Sequence, residues 1–132
     1  MKSVLLDVEK RSAKAVDIVP ELDTLYKLLN CDLIDVTYRK VGDKMYCIVC
    51  DDEGLLKEGA IVSGVEETED GDIRPMLVGN LLFFSEENTE DGDFVGLTDE
   101  DVQNILEHML TLVSIDKRDD SAQLIRVCSM SF

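Results

Sequence analysis

Six consecutive apolar residues, Met45-Tyr46-Cys47-Ile48-Val49-Cys50, stand between two turn signals, Val41-Gly42-Asp43 before them and Asp51-Asp52-Glu53-Gly54 after. The run is far below the roughly 18 to 20 residues that a bilayer-spanning helix requires. It suits a strand buried on both faces. Just upstream, Ile34, Val36 and Tyr38 recur with period two, with polar Asp35 and Thr37 between them, so the two segments read as a hairpin whose return strand is central in a sheet. A chain of 132 residues is long enough for one such core and too short to divide, so a single domain over 1–132 is expected. With 45% hydrophobic and 32% charged residues, the composition is that of a folded protein and excludes disordered and collagenous classes.

Around this hairpin the chain offers further elements. Val4 to Val8 and Ala13 to Ile18 read as another hairpin about the charged Glu9-Lys10-Arg11-Ser12. Pro20 is expected as the first residue of a helix that buries Leu22, Leu25, Tyr26 and Leu29 and ends on Asn30 in a left-handed conformation. Two extended segments, Ala60 to Val65 and Ile73 to Val78, flank the acidic turn at Asp70-Gly71-Asp72, and Pro75 places the second at a sheet edge. Leu81 to Phe84 is extended again. Thr98 caps a helix with Asp99, Glu100 and Asp101 in its first turn, and Val102, Ile105, Leu106, Met109, Leu110 and Val113 give that helix one apolar stripe. Gln123 to Val127 suggests a last strand, and residues 55–59 carry no clear signal. The sum is an α+β domain, two helices packed on one face of a mainly antiparallel sheet.

Charge is distributed unevenly. Of the net −16, residues 1–50 contribute nothing and residues 102–132 contribute −1, whereas Asp51 to Asp101 hold seventeen acids against Lys57 and Arg74. Within that span two groups stand out as a candidate interaction surface: Glu66, Glu67, Glu69, Asp70 and Asp72, then Glu86, Glu87, Glu90, Asp91 and Asp93. Nucleic-acid backbones and anionic membranes repel such a surface, so direct DNA, RNA or membrane binding is disfavoured. A basic or nucleic-acid-binding protein is the partner it would attract. The alternative is that acidic loops serve solubility alone.

Chemistry-bearing patterns are sparse. Cys47 and Cys50 have the spacing of a redox or zinc knuckle, but on a strand residues three apart point to opposite faces. Cys31 and Cys128 stand alone, so no zinc site is expected and reduced thiols are the default. His108, the sole histidine, falls with Asp101, Asn104 and Glu107 off the apolar stripe and is expected at the surface. Neither Gly-x-Ser-x-Gly nor His-Glu-x-x-His occurs, nor a phosphate-cradling glycine loop. Setting Gly71 or Gly92 at the glycine of a helix-loop-helix calcium site puts Leu77 or Thr98 where a bidentate Glu belongs. No catalytic residue, cofactor or metal is therefore assigned. Met1 to Asp7 lacks the apolar run of a secretory signal, which predicts a cytoplasmic location.

Ile34-Asp35-Val36-Thr37-Tyr38, Tyr46 to Leu55, Val78-Gly79-Asn80-Leu81-Leu82-Phe83-Phe84 and Gly96 to Val102, in that order, resemble the domain of unknown function 3846 family, small α+β proteins of bacteria, phages and plasmids. The resemblance covers about residues 1–110 and leaves 111–132 as a C-terminal extension. It implies an accessory cytoplasmic protein of the kind carried on a mobile element, and it carries over no catalytic residues or cofactors. Two functional expectations follow. The first is a non-enzymatic protein-interaction module, in its most specific form a nucleic-acid-mimicking inhibitor. The second is a small-ligand or metal-binding protein or enzyme that uses a carboxylate cluster. Homodimerisation through the edge beside Pro75 is a further expectation.

Overall fold

A computed structural model describes residues 1–54, 59–116 and 121–132. Residues 55–58, for which the sequence carries no clear signal, and the charged 117–120 lie outside the described residues. Both N-terminal hairpins form as their turn residues dictate: β1 (Lys2–Asp7) with β2 (Ser12–Asp17), and β3 (Ile34–Val41) with β4 (Lys44–Asp51). Gly42 sits first in the two-residue loop between β3 and β4 at φ +63°, the backbone a tight hairpin asks of that position. Between the hairpins, α1 (Leu22–Leu29) starts two residues after Pro20 with Glu21 as its cap, so Leu22 is exposed while Leu25 and Leu29 are buried. Asn30 ends it at φ 51°, with its N–H donating to Lys27 O and the Cys31 N–H donating to Tyr26 O.

Next come β5 (Val62–Glu67), β6 (Ile73–Val78), β7 (Leu81–Ser85), α2 (Asp99–Glu107), β8 (Met109–Asp116) and β9 (Ser121–Ser129). The α+β class with mainly antiparallel strands is as expected, but the strands form two sheets. One runs β2-β1-β7-β4-β3 and the other β6-β5-β9-β8; β5 and β9 pair in parallel. As expected, β6, which carries Pro75, is an edge strand, and β4 is central.

The spacing that predicted an apolar helical stripe through Val113 proves to serve two structures. The helix stops at Glu107, and Met109 onward pairs with β9 over eight residue pairs. Thr111, Val113 and Ile115 are β-branched and recur with period two, so once β9 is available the extended form wins.

The core shows why the layers lie where they do. Val4, Leu6, Tyr46, Ile48, Cys50, Leu81 and Phe83 point from the five-stranded sheet to one side, where Ile105 of α2 and Met109, Cys128 and Met130 cover them. Leu5, Cys47, Val49, Leu82 and Phe84 point to the other side, where Leu25 and Leu29 of α1 cover them. The two helices therefore lie on opposite faces of this sheet rather than sharing one. The physical reason is that β4 and β7 are apolar on both faces, and each face must be removed from water. A smaller core of Val65, Ile125 and Val127 lies within the four-stranded sheet.

A methyl group at Gly42 would lie 2.9 Å from both Asn104 Oδ1 and His108 Cε1, at a backbone conformation costly for any side chain. Gly42→Ala is expected to lower stability by about 1–3 kcal/mol, measured by urea denaturation. An unchanged midpoint would show that the hairpin and α2 are not in contact at this turn.

Candidate functional site

The two acidic groups contain the same pentapeptide, Thr-Glu-Asp-Gly-Asp, at 68–72 and 89–93. Sequence reading by charge alone passes over this repetition. The structure folds both copies alike. In the first, the Thr68 N–H donates to Asp72 O (2.8 Å), the Gly71 N–H to Thr68 O (3.0 Å) and the Asp72 N–H to Thr68 Oγ1 (3.1 Å). In the second, the Thr89 N–H donates to Asp93 O (3.1 Å), the Gly92 N–H to Thr89 O (2.9 Å) and the Asp93 N–H to Thr89 Oγ1 (3.0 Å). Gly71 and Gly92 take φ values of +83° and +81°, and antiparallel pairs, Glu67 with Ile73 and Asn88 with Phe94, close each turn. Threonine supplies the acceptor and glycine the left-handed step, so part of this sequence is turn chemistry.

The carboxylates take no part in it. Nine of the ten candidate residues are exposed and Glu66 is half-buried. None makes an ion pair among the described residues, where the pairs are Met1 with Asp17, Lys2 with Asp99 and Lys44 with Asp101. Glu66, Glu67, Glu69, Asp70 and Asp72 gather at the tip of β5–β6, in the four-stranded sheet. Glu86, Glu87, Glu90, Asp91 and Asp93 gather in the loop after β7, in the five-stranded sheet, with Glu87 close enough to act electrostatically on Lys44. No hydrogen bond or ion pair joins the two groups among the described residues.

A third acidic run behaves differently. Asp99 and Glu100 are exposed in the first turn of α2, but Asp101 is only 4% exposed. Its Oδ2 accepts from the Thr98 N–H (3.0 Å), and its own N–H donates to Thr98 Oγ1 (3.1 Å), the reciprocal box predicted for this helix start. Its Oδ1 also accepts from Lys44 Nζ (2.5 Å) and from the Tyr46 hydroxyl (3.2 Å). Asn104 Nδ2 donates to Tyr46 Oη and to Val41 O, both at 2.9 Å. This chain of bonds fastens α2 to the β3–β4 hairpin. Burial alone would push the Asp101 carboxyl up, but hydrogen bonds from Lys44 and Thr98 bring it below the usual carboxylate range; Lys44 is raised by the same bond. Burial raises Tyr46 and so keeps its hydroxyl a donor. The sequence signal for this network was Tyr46 itself, a hydroxyl in an otherwise apolar strand that needs a partner.

The cysteines carry little chemistry. Cys47 and Cys50 enter opposite cores, as their strand placement predicts, and all four cysteines are buried. Burial pushes the Cys50 and Cys128 thiols up to about 12, far from a reactive thiolate. His108 caps the end of α2, half-buried, with Nδ1 2.7 Å from Asn104 O. Among the described residues no three His, Cys, Asp or Glu converge as a metal site requires. A cleft of about 580 Å³ lies between α1 and the β1–β2 hairpin, where Lys10, Lys14 and Lys27 are balanced by Asp7, Glu9 and Asp51. Of these, Asp7 already accepts from the Glu9 and Lys10 N–H groups. No helix among the described residues is long and apolar enough to cross a membrane.

A family model described as a domain of unknown function (DUF3846) matches residues 1–110 of the chain. No curated protein and no solved structure matches it.

Asp101→Asn keeps the shape and removes the charge, at an expected cost of about 2 kcal/mol near neutral pH, somewhat reduced because Lys44 is half exposed. Because the folded carboxyl titrates below its unfolded value of about 3.9, its contribution is full above that value and is lost as pH falls through the lower folded one. The raised Lys44 contributes below its unfolded value and loses its share as pH rises through the higher folded one. Urea denaturation of both proteins should therefore show a gap that is steady near neutrality and narrows as pH falls below the unfolded carboxyl value. A gap unchanged in acid would contradict the assignment.

Proposed function

The chain belongs to the family described as a domain of unknown function (DUF3846), and for this member we propose a non-enzymatic protein-interaction module whose two acidic turns engage a basic partner. One observation carries the proposal: the same pentapeptide is folded twice by the same three backbone-directed bonds, and in both places the carboxylates have no ion-pair partner among the described residues. Turn formation needs the threonine and glycine; it does not need Glu69, Asp70, Glu90 or Asp91 to be acids. Exposed carboxylates held on hydrogen-bonded turns favour a cationic surface and speed its approach. Two such turns also give bivalent contact, in which each raises the local concentration of the other's partner.

The reading extends to an accessory protein of the cytoplasm, encoded by a phage or plasmid, and its most specific form is an inhibitor that occupies a nucleic-acid-binding surface. The alternative, a small-ligand binder or enzyme built on a carboxylate cluster, would sit in the cleft beside α1; charge balance there gives it less support than the turns give a protein partner.

Glu69→Gln and Asp70→Asn, combined with Glu90→Gln and Asp91→Asn, are expected to leave stability within about 0.5 kcal/mol of the parent, because exposed unpaired charges contribute little. Affinity for a basic partner captured at low salt should fall at least about tenfold, with each turn's pair of changes giving an intermediate loss. A nucleic-acid mimic would further be displaced by added DNA or RNA. Capture that is indifferent both to salt and to the four substitutions would overturn the proposal.

A further inference from the structure

A sheet edge presents unpaired N–H and C=O groups, and folded proteins guard theirs with lysine, proline, bulges, short length or a covering segment. The two sheets have four edges: β2, β3, β6 and β8. Three are guarded. β2 is six residues long and carries Lys14 near its middle. β3 carries Arg39 and Lys40, and its edge is occupied where Lys40 exchanges hydrogen bonds with Ser131 at 2.8 and 2.9 Å. β6 carries Arg74 and Pro75, and its pairing with β5 shifts register around Gly64. Among the described residues β8 has none of these devices. From Met109 to Ile115 it holds no charged residue and no proline, and it pairs with β9 without a shift from Met109–Cys128 to Asp116–Ser121.

Its solvent-facing side is apolar from Val113 to Ile115, beyond Thr111, which accepts from Arg126 of β9. Val113 lies opposite Leu124, with exposures of 64% and 54%, and Ile115 follows on the same side at 65%. Charge then selects the occupant. Two copies of a chain at −16 repel each other wherever the acids lie, but residues 102–132 sum to only −1. β8 lies outside the span 51–101 that holds −15 of this charge, whereas β6, the other edge of the same sheet, lies within it, so two copies repel less at β8 and a strongly basic partner finds little there to attract it.

We infer that β8 is a self-association edge: two copies join by antiparallel β8–β8 pairing about a two-fold axis. Two four-stranded sheets become one of eight strands, with Val113 and Ile115 of each copy packed across the junction. An antiparallel strand is its own symmetric mate, so one set of donors and acceptors serves both copies. The edge expected beside Pro75 gives way to the opposite edge of the same sheet, because proline has no N–H to offer an added strand. Most of β8 lies beyond residue 110, where the family match ends, so this association belongs to the extension.

Sedimentation equilibrium of the full chain from about 1 µM to about 200 µM is expected to show monomer and dimer, with the dimer favoured as salt screens the repulsion between acidic copies. Val113→Lys with Ile115→Lys should weaken association at least about tenfold, with circular dichroism reporting a retained fold. Amide exchange of Thr111 to Ile115 distinguishes edge pairing from stacking of the apolar faces, since only edge pairing slows alternate amides as concentration rises; this measurement on the parent chain also decides the matter if the double variant unfolds. A monomer throughout, a dimer indifferent to the double variant in its folded form, or a dimer whose β8 amides exchange as fast as the monomer's would overturn the inference.

Discussion

Strands β4 and β7 are apolar on both faces, and the rest of the molecule is arranged to keep water from them. Tyr46, Ile48 and Phe83 look to one side and Cys47, Val49, Leu82 and Phe84 to the other, all at 0–1% exposure. A single layer of helices would leave half of these side chains in water, at roughly 1.5–3 kcal/mol for each large one. Hence α1 covers one face, while α2 and the second sheet cover the other. Even the polar network around Asp101 serves this layer, because it fixes α2 over the sheet through Lys44 and Tyr46.

Confining the apolar work to the centre leaves the periphery for charge. Acids that take part in the fold are satisfied: Asp101 is bonded on both oxygens, and Asp99 pairs with Lys2. Those of the two repeated turns make no ion pair among the described residues. This division makes the turns, rather than the α2 start, the functional candidates, although all three runs are similar in composition. It also separates two kinds of surface, acidic turns suited to a basic partner and a neutral edge at β8 suited to a second copy, so one kind of contact need not exclude the other.

What the sequence revealed was what depends on neighbouring residues. The β3–β4 hairpin follows from Gly42-Asp43 between alternating and continuous apolar runs, the end of α1 from Asn30, and the start of α2 from Thr98 and Asp101. What stayed hidden depends on residues far apart in the chain. The parallel pairing of β5 with β9 joins Gly64 to Cys128 and creates the second sheet. Met109, Leu110 and Val113 fit both a helical stripe and a strand, and only the presence of β9 decides between them. The side of the sheet on which each helix lies was equally non-local. The repeated pentapeptide, in contrast, was present in the sequence throughout; Asp70-Gly71-Asp72 reads as a turn, but taking residues 86–93 only as charge concealed that the second copy encodes the same one.

Native-state amide hydrogen exchange tests the two-faced sheet most directly. The amides of Ile48, Val49, Leu82 and Phe83 should exchange slowest, only through global unfolding, and with the urea dependence of the whole protein. Residues 68–72 and 89–93 should exchange by local opening that leaves this centre intact. If the β4 and β7 amides instead opened locally, ahead of the four-stranded sheet, the centre of stability would lie elsewhere and the account would be contradicted.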